Sequence, residues 1–209
     1  MNVTIIGTGN MARGIATRLL AGGHKITLLG TEAGKAEGLA SEFGGSVGAG
    51  VVGDEISGDV VVLAVPYDAA ATVLWGYGDA LSGKTVVDIT NPVDTETWDS
   101  LATTPGSSSA EEVQQLVPEG TPVVKAFNTT FAPTLVRGEV AGQPLDVLIA
   151  GDDERAKQAV AQLVTDGGLR PIDVGPLRRA QQLENLGFLH IALQQPRNLG
   201  FGSAIKLLS

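Results

Sequence analysis

Short runs of aliphatic residues alternate along the chain with segments whose apolar residues recur at helical spacing. An uninterrupted run such as Val60–Val65 is typical of a strand covered on both faces, as in a parallel sheet. Such runs predict strands at Val3–Ile6, Lys25–Leu29, Gly50–Val52, Val60–Val65, Thr85–Ile89 and Pro122–Phe127, with helices between them at Met11–Leu20, Lys35–Phe43 and Ala69–Leu74. With right-handed crossovers, this alternation predicts an α/β fold with a Rossmann-type, doubly wound and mainly parallel sheet.

A long polar connection from Val93 interrupts the alternation, and its length suggests a functional loop, with Trp98 as a candidate lid. It ends in Ser109-Ala110-Glu111-Glu112, a capping-box pattern that predicts a helix running to Leu116.

Beyond Arg137 the strand and helix patterns start again. They predict strands at Asp146–Ala150 and Leu169–Val174, helices through Val164 and at Leu177–Gln195, and an apolar tail at Phe201–Leu208. The acidic run Asp152-Asp153-Glu154 is interpreted as helix-capping rather than metal-binding. We therefore expect a dinucleotide-binding domain at residues 1–137 and a small C-terminal strand–helix extension at residues 138–209.

Composition excludes several functional classes. A net charge of −9 over 209 residues disfavours nucleic acid and anionic membranes as partners. The chain has no cysteine, and its two histidines, His24 and His190, are far apart and interpreted as structural, so we expect no metal site and no Ser-His-Asp triad. The chain enters an apolar strand at once, without a signal peptide or a membrane-length apolar run, which predicts a cytoplasmic protein.

The glycine-rich turn Gly7-Thr8-Gly9-Asn10-Met11-Ala12 carries the firmest functional signal. It follows a predicted strand and opens a helix, which is the context that a dinucleotide fingerprint requires. Gly7 permits the tight turn, Gly9 leaves room for the pyrophosphate, and Ala12 still allows close packing of helix on sheet. The free N–H groups of the first helix would then bind the pyrophosphate.

The end of the second strand leaves the choice of dinucleotide open. The stretch from Gly30 to Lys35 has an uncharged tip, and Thr8, Thr31 and Lys35 together could hold the 2′-phosphate of NADP. Glu32 could instead bind the ribose diol of NAD, or be a solvated loop acid. We favour NADP.

Three further strand ends supply residues for the crevice in which such sheets bind ligands. They are Ala64-Val65-Pro66-Tyr67, Thr90-Asn91-Pro92 and Ala126-Phe127-Asn128-Thr129-Thr130. Val65 and Pro66 could floor a nicotinamide ring, while Asn91, Asn128 and Thr129 offer neutral donors and acceptors, or are ordinary turn residues.

We identify no catalytic acid or base at these strand ends. Lys125 is interpreted as a structural or edge charge, and Asp88 as an acceptor for backbone N–H groups of a neighbouring loop. Hydride transfer between two bound rings depends more on the positioning of the rings than on a proton relay, so the lack of an identified acid or base agrees with this chemistry.

Taken together, these stretches, with Lys125–Asn128, Gly151–Glu154, Leu169–Leu177 and Leu183-Glu184-Asn185-Leu186, resemble the NADP oxidoreductases that depend on the deazaflavin coenzyme F420. The chain is also similar to the NADPH-binding portion of the STEAP metalloreductases. The resemblance implies hydride transfer between NADP and a flavin-like acceptor, which is F420 or an ordinary flavin such as FMN or FAD. It places Thr8, Gly30 and Thr31 around the 2′-phosphate and Asn128, Thr130 and Ala132 near the nicotinamide. It also implies a homodimer in which the tail Phe201–Lys206 helps to close the acceptor pocket.

Two departures from the family pattern bear on these implications. The second strand of the family often ends in a basic pair, where this chain has Gly30-Thr31, and some members have a histidine where this chain has Asn128. Two alternative functions stay open. One is a pyrroline-5-carboxylate reductase, whose opening also resembles Gly-x-Gly-Asn-Met-Ala, and the other is a non-catalytic NADP-binding regulatory module.

Overall fold

A computed structural model describes residues 1–208 of the chain. Within these residues, one eight-stranded sheet contains all strands except those of a short hairpin. The first six strands of the sheet are β1 (Asn2–Ile6), β2 (Lys25–Gly30), β3 (Val47–Val51), β4 (Val60–Leu63), β5 (Thr85–Asp88) and β6 (Val123–Lys125). They are parallel and lie side by side in the order β3-β2-β1-β4-β5-β6. This is the order of a dinucleotide-binding Rossmann sheet, so the predicted fold class is confirmed.

Helices connect these strands, except β3 and β4, which are joined by a loop, and cover both faces of the sheet. They are α1 (Asn10–Ala21), α2 (Ala33–Ser41), α3 (Tyr67–Tyr77) and α4 (Ser109–Leu116). Aliphatic side chains of α1 and α2, such as Ile15 and Leu39, join one buried cluster, whereas Leu74 of α3 and Val113 of α4 join another. Successive strand residues alternate between the two clusters, which explains why most of the strand residues are apolar.

The rest of the chain continues the same sheet. Helix α5 (Ala132–Arg137) and the hairpin of β7 (Glu139–Val140) and β8 (Gln143–Pro144) lead into β9 (Asp146–Gly151), α6 (Glu154–Asp166) and β10 (Arg170–Gly175). Strand β9 pairs with β6 in antiparallel fashion, and β10 pairs with β9 in parallel. A single 3-10 turn at Leu177–Arg179 then opens α7 (Ala180–Ala192). The sequence did not predict α5 or the hairpin, and α7 ends three residues before the expected Gln195.

The capping box of α4 begins one residue earlier than the sequence predicted. Its N-cap is Ser108, whose hydroxyl oxygen accepts a hydrogen bond from the N–H of Glu111 and donates to the Glu111 carboxylate. Ser109 is instead directed into the interior, where it is buried. The prediction was wrong because Ser108 and Ser109 are each followed three residues later by a glutamate, and only tertiary contacts distinguish them.

The acidic run before α6 has the structural role that the sequence predicted. Asp153 caps α6 by accepting the N–H of Ala156 at 2.8 Å, and Asp152 accepts the N–H of Leu177 at 2.9 Å. Within residues 1–208, no group of three or more histidine and acidic side chains is placed to hold a metal ion. None of the helices in this part of the chain combines the length and the apolar character that a membrane crossing requires.

Candidate active site

A cavity of about 480 Å³ lies at the carboxyl ends of four neighbouring strands, β1, β4, β5 and β6. We call it the main cavity. It brings together nine of the residues proposed from sequence, and none of its lining side chains carries a charge: Gly9, Asn10, Met11, Ala64, Val65, Pro66, Asn91, Asn128 and Thr130. The remaining lining residues are Tyr67, Ile89, Thr90, Trp98, Phe131, Ile191 and Phe201.

The glycine turn forms one side of the main cavity. Gly7 has a φ of +124°, and a Cβ at this position would overlap the carbonyl oxygen of Ala64, so the close approach of β1 and β4 requires glycine here. Gly9 is the N-cap of α1 and provides no side-chain hydrogen bond to the first N–H groups of the helix. A Cβ at Gly9 would meet no atom within 4 Å, so the space in front of these N–H groups is open. A dinucleotide pyrophosphate fits this cradle.

The predicted residues that do not line the main cavity fall into two groups. Gly7 and Ala12 are not among its lining residues, and Ala12 is completely buried in the core. Ala132 opens α5, and its carbonyl would lie 3.2 Å from a Cβ at Gly14, so it packs against α1. Pro92 is likewise not among the lining residues.

The second group lies at the end of β2: Thr8, Gly30, Thr31 and Lys35. A Cβ at Gly30 would lie 3.0 Å from Cγ2 of Thr8, which puts the glycine turn beside this strand end. The Lys35 ammonium does not stand free, because it donates to the Glu32 carboxylate at 2.6 Å.

Two asparagines form the polar side of the main cavity. Nδ2 of Asn128 donates to Oδ1 of Asn91 at 2.9 Å and to the carbonyl of Leu183 at 2.9 Å, and Nδ2 of Asn91 donates to the carbonyl of Asn128 at 2.7 Å. Oδ1 of Asn128 is buried without a partner within the described part of the chain. A buried oxygen of this kind needs a donor, and the carboxamide N–H₂ of a nicotinamide is one that fits.

Backbone conformation and a glycine on α7 hold the asparagines in place. Phe127, which precedes Asn128, is buried and has a φ of +62°, a left-handed conformation that turns the chain sharply after β6. A Cβ at Gly187 would lie 2.5 Å from Oδ1 of Asn91 and 3.0 Å from the carbonyl of Asn128. Glycine therefore lets α7 pack directly on both amides.

A buried ionic network lies beneath these strand ends. Nζ of Lys125 is within hydrogen-bonding distance of four acceptors: Asp88 Oδ2 at 2.7 Å, the Thr90 carbonyl at 2.6 Å, Ser109 Oγ at 2.9 Å and Glu184 Oε1 at 2.8 Å. Lys125 is fully buried, and Glu184 also accepts the N–H of Ser109 at 3.0 Å. The network thus joins the ends of β5 and β6 to α4 and α7.

This network tests two predictions. Asp88 Oδ1 accepts the N–H of Thr90 at 3.0 Å, so Asp88 is a backbone acceptor as predicted, but this N–H lies two residues further along the same strand end and not in a neighbouring loop. Lys125 is a structural charge, as predicted, but it is not an edge charge, because β6 lies between β5 and β9. Sequence reasoning missed its partner Glu184, although Glu184 lies in the Leu183–Leu186 stretch that carried the family resemblance.

The open side of the main cavity is bounded by the long loop and the C-terminal tail. Trp98 is 63% exposed and has a φ of +56°, and Phe201 is 47% exposed. Trp98, Phe201 and Ile191 of α7 also line a second cavity of about 560 Å³, formed mainly by residues from Phe188 to Phe201. The two cavities are therefore neighbours that share an apolar wall.

The tail is held by hydrogen bonds at two places. Nε2 of His190 and the side-chain amide of Gln194 contact Ser203 Oγ at 2.8 and 3.0 Å. The His190 ring packs on Phe131, with a distance of 4.3 Å between ring centroids. Burial lowers the pKa of His190. Farther along, Asp146 accepts from Nζ of Lys206 at 2.6 Å and from the N–H of Leu207 at 2.8 Å.

The other histidine has no contact with the main cavity. Nδ1 of His24 lies 3.0 Å from the N-terminal amine, and its Nε2 lies 3.2 Å from Asp166. Both histidines therefore have structural contacts, but His190 supports an aromatic side chain of the cavity. The three lining residues that sequence reasoning did not single out are Ile89, Phe131 and Ile191. Phe131 directly follows the Asn128–Thr130 stretch, so extending that stretch by one residue would have included it.

A Rossmann sheet whose glycine turn opens onto an uncharged cleft is the arrangement of NAD(P)-dependent oxidoreductases. Residues 2–92 match the family described as NADP oxidoreductase, coenzyme F420-dependent. The F420-dependent NADP reductase of Methanocaldococcus jannaschii is 33% identical over 92% of this chain and 92% of its own length. The chain therefore belongs to the family of F420-dependent NADP oxidoreductases, and it is an NADP-dependent oxidoreductase by class.

Other relatives agree with this assignment. Rat metalloreductase STEAP3 is 31% identical over 87% of this chain, which spans 35% of the length of that protein. A crystal structure from Arthrobacter sp. FB24, assigned as an F420-dependent NADP reductase, superposes with a TM-score of 0.86 at 29% identity, over 99% of both chains. Pyrroline-5-carboxylate reductase of Coxiella burnetii superposes with a TM-score of 0.63 at 21% identity, which shows a shared fold alone.

Proposed function

We propose that the chain transfers a hydride between NADPH and a flat, flavin-like acceptor, either coenzyme F420 or FMN or FAD. The observation that carries the proposal is the main cavity itself. It combines an uncapped helix N-terminus, an apolar floor and a buried amide oxygen without a partner. When bound, the nicotinamide supplies the hydride, and every other contribution comes from residues that bind, orient and exclude water.

The binding roles follow from the positions of these residues. The N–H groups of α1 after Gly9 would hold the pyrophosphate, with Gly7 keeping β1 close to β4. Val65 and Pro66 would support the nicotinamide ring, and Oδ1 of Asn128 would accept a hydrogen bond from its carboxamide. Thr8, Gly30, Thr31 and Lys35 would surround the 2′-phosphate.

The acceptor would enter from the second cavity. Trp98 and Phe201 border both cavities and present aromatic surface, which suits a flat ring system. Since Phe201 and Ile191 belong to residues 138–209, this geometry supports the expectation that the C-terminal extension completes the acceptor pocket. No side chain of the main cavity is charged, so the site favours positioning over proton relay.

The direct test is to mix the protein with NADPH and F420, FMN or FAD and to follow the nicotinamide absorbance band. We expect NADPH oxidation with at least one of these acceptors. Tight binding of NADPH without oxidation by any of them would contradict the proposal and favour a regulatory module.

Asn128→Ala tests the role of the amide oxygen. We expect kcat/KM for NADPH to fall about tenfold or more, because a hydrogen bond made in a buried site is lost. Asn185→Ala is the matched control, since it removes the same amide from an exposed position of α7, where its Nδ2 donates to the carbonyl of Gln181. Equal effects of the two substitutions would argue against the assignment.

We also expect a cytoplasmic homodimer. Leu189 and Leu193 of α7 are exposed at 56% and 39%, which supports a further contact on this helix. Sedimentation of the full chain would report its oligomeric state.

A further inference from the structure

The end of β2 differs from a phosphate-binding site in its charge. In Rossmann sheets this strand end lies beside the adenosine ribose, where a carboxylate binds the 2′- and 3′-hydroxyls and a free cation binds a 2′-phosphate. Here the strand ends at Gly30, next to Thr8 of the glycine turn. The first charged residue after it is Glu32, the N-cap of α2.

Both cations in the first turns of the flanking helices are already paired with carboxylates. Arg13 of α1 donates through Nε and Nη2 to both oxygens of Glu42, at 2.8 and 2.7 Å. Lys35 of α2 donates to Glu32 at 2.6 Å. These four charges sum to zero, and Asp54, which follows the neighbouring strand β3 and accepts the N–H of Val51, adds a negative charge. A 2′-phosphate, with a charge of about −1.5 to −2, would therefore meet no cation that lacks a partner in this group.

The carboxylate of Glu32 is available for another partner. Although Glu32 is the N-cap of α2, its side chain makes no hydrogen bond to the helix N–H groups. Its ion pair with Lys35 joins two exposed side chains, 67% and 58% accessible, and such pairs are weak. Little is therefore lost when the carboxylate turns from the ammonium to two hydroxyl donors.

We propose that Glu32 binds the diol of an unphosphorylated adenosine ribose, so that the chain uses NADH as well as NADPH. With NADPH, Lys35 leaves Glu32 and becomes the cation for the 2′-phosphate. The two residues of one ion pair thus bind different dinucleotides: Glu32 binds NADH and Lys35 binds NADPH. This inference rests on the proposed function, because it assumes that the cleft binds a nicotinamide dinucleotide.

The test compares ADP-ribose with 2′-phospho-ADP-ribose by titration calorimetry, since both probes lack the nicotinamide and react with no acceptor. For the unaltered chain we expect the two dissociation constants to differ by less than about tenfold. Glu32→Gln should weaken ADP-ribose about tenfold and tighten its 2′-phosphorylated form, because a charged acceptor is lost and a repulsive charge is removed. Glu32→Arg should further raise the ratio of the dissociation constant for ADP-ribose to that for 2′-phospho-ADP-ribose.

Glu37→Gln is the matched control, because Glu37 is an exposed acid on the same helix and its loss changes the net charge equally. We expect it to change the ratio by less than about twofold, since exposed charges at a distance are screened by salt. If Glu32→Gln shifted the ratio no more than Glu37→Gln, the assignment to Glu32 would be overturned while the proposed function stood. If the unaltered chain bound only the 2′-phosphorylated probe, the assignment to Glu32 would also be overturned and the proposed function would also stand. If neither probe bound, the proposed function would fail as well.

Discussion

The two ends of the cleft are built in opposite ways. At the end of β2 the charged side chains are exposed and form simple pairs, such as Glu32 with Lys35. At the ends of β5 and β6 the polar side chains are buried and interlocked, and Lys125 alone contacts two carboxylates, a hydroxyl and a carbonyl. Exposed pairs contribute little to folding, whereas buried networks contribute much through the cost of breaking them. The side chains at the first end can therefore be substituted with little cost to the fold. The second end cannot change without affecting the fold.

The largest expected effect is on stability at the buried end. Lys125→Met should lower the free energy of unfolding by about 3–5 kcal/mol, because Asp88 and Glu184 would be left buried without their cation. Lys35→Met makes the same chemical change in the exposed pair and should cost no more than about 0.5 kcal/mol. Urea unfolding at neutral pH measures both, and similar losses in the two variants would remove the contrast between the two ends.

A second effect separates folding from binding within the glycine turn. Gly9→Ala should lower the free energy of unfolding by no more than about 1 kcal/mol, because a Cβ there meets no protein atom within 4 Å and only the better N-cap preference of glycine is lost. It should weaken NADPH binding about tenfold or more, since the methyl group would occupy the approach of the pyrophosphate. Gly7→Ala should instead destabilise the fold, because its Cβ overlaps the Ala64 carbonyl. Unaltered NADPH affinity in Gly9→Ala would contradict the proposed cradle.

The smallest expected effect concerns the tail that brings Phe201 to the cleft, and it is a loss of stability as the pH falls. Burial raises the pKa of Asp146, but hydrogen bonds from Arg170, Lys206 and the N–H of Leu207 outweigh it and lower the pKa to about 2. Since this folded-state value lies below the ordinary 3.8, the ionised carboxylate stabilises the fold above about pH 4. That stabilisation is lost as the pH falls towards 2.

Asp146→Asn is the variant that checks this pH dependence. It should be less stable than the unaltered chain at pH 5, and the difference should shrink as the pH falls to 3, as urea unfolding at the two values would show. A difference that stays constant over this range would mean that the carboxylate charge is not what holds the tail.

The sequence by itself determined the parts of this protein that depend on local pattern. Aliphatic runs located β1, β2, β4, β5 and β6, whereas the predicted Gly50–Val52 shares only two residues with β3. The spacing of Gly7, Gly9 and Ala12 located the turn, because strand formation and tight turns depend on neighbouring residues. The main cavity contains nine of the proposed residues for the same reason: in a parallel sheet, residues that follow the strands meet at one edge.

Only the tertiary structure decided which distant groups meet. No local pattern predicts the antiparallel pairing of β9 with β6 or the contact between Lys125 and Glu184, because each joins segments that are distant in sequence. The choice of Ser108 over Ser109 as N-cap of α4 likewise depends on tertiary contacts. Lys125 and Glu184 are 59 residues apart, and their interaction exists because packing α7 over the strand ends removes both from water. Once both charges are buried, each needs the other as its partner, and burial is a property of the assembled fold.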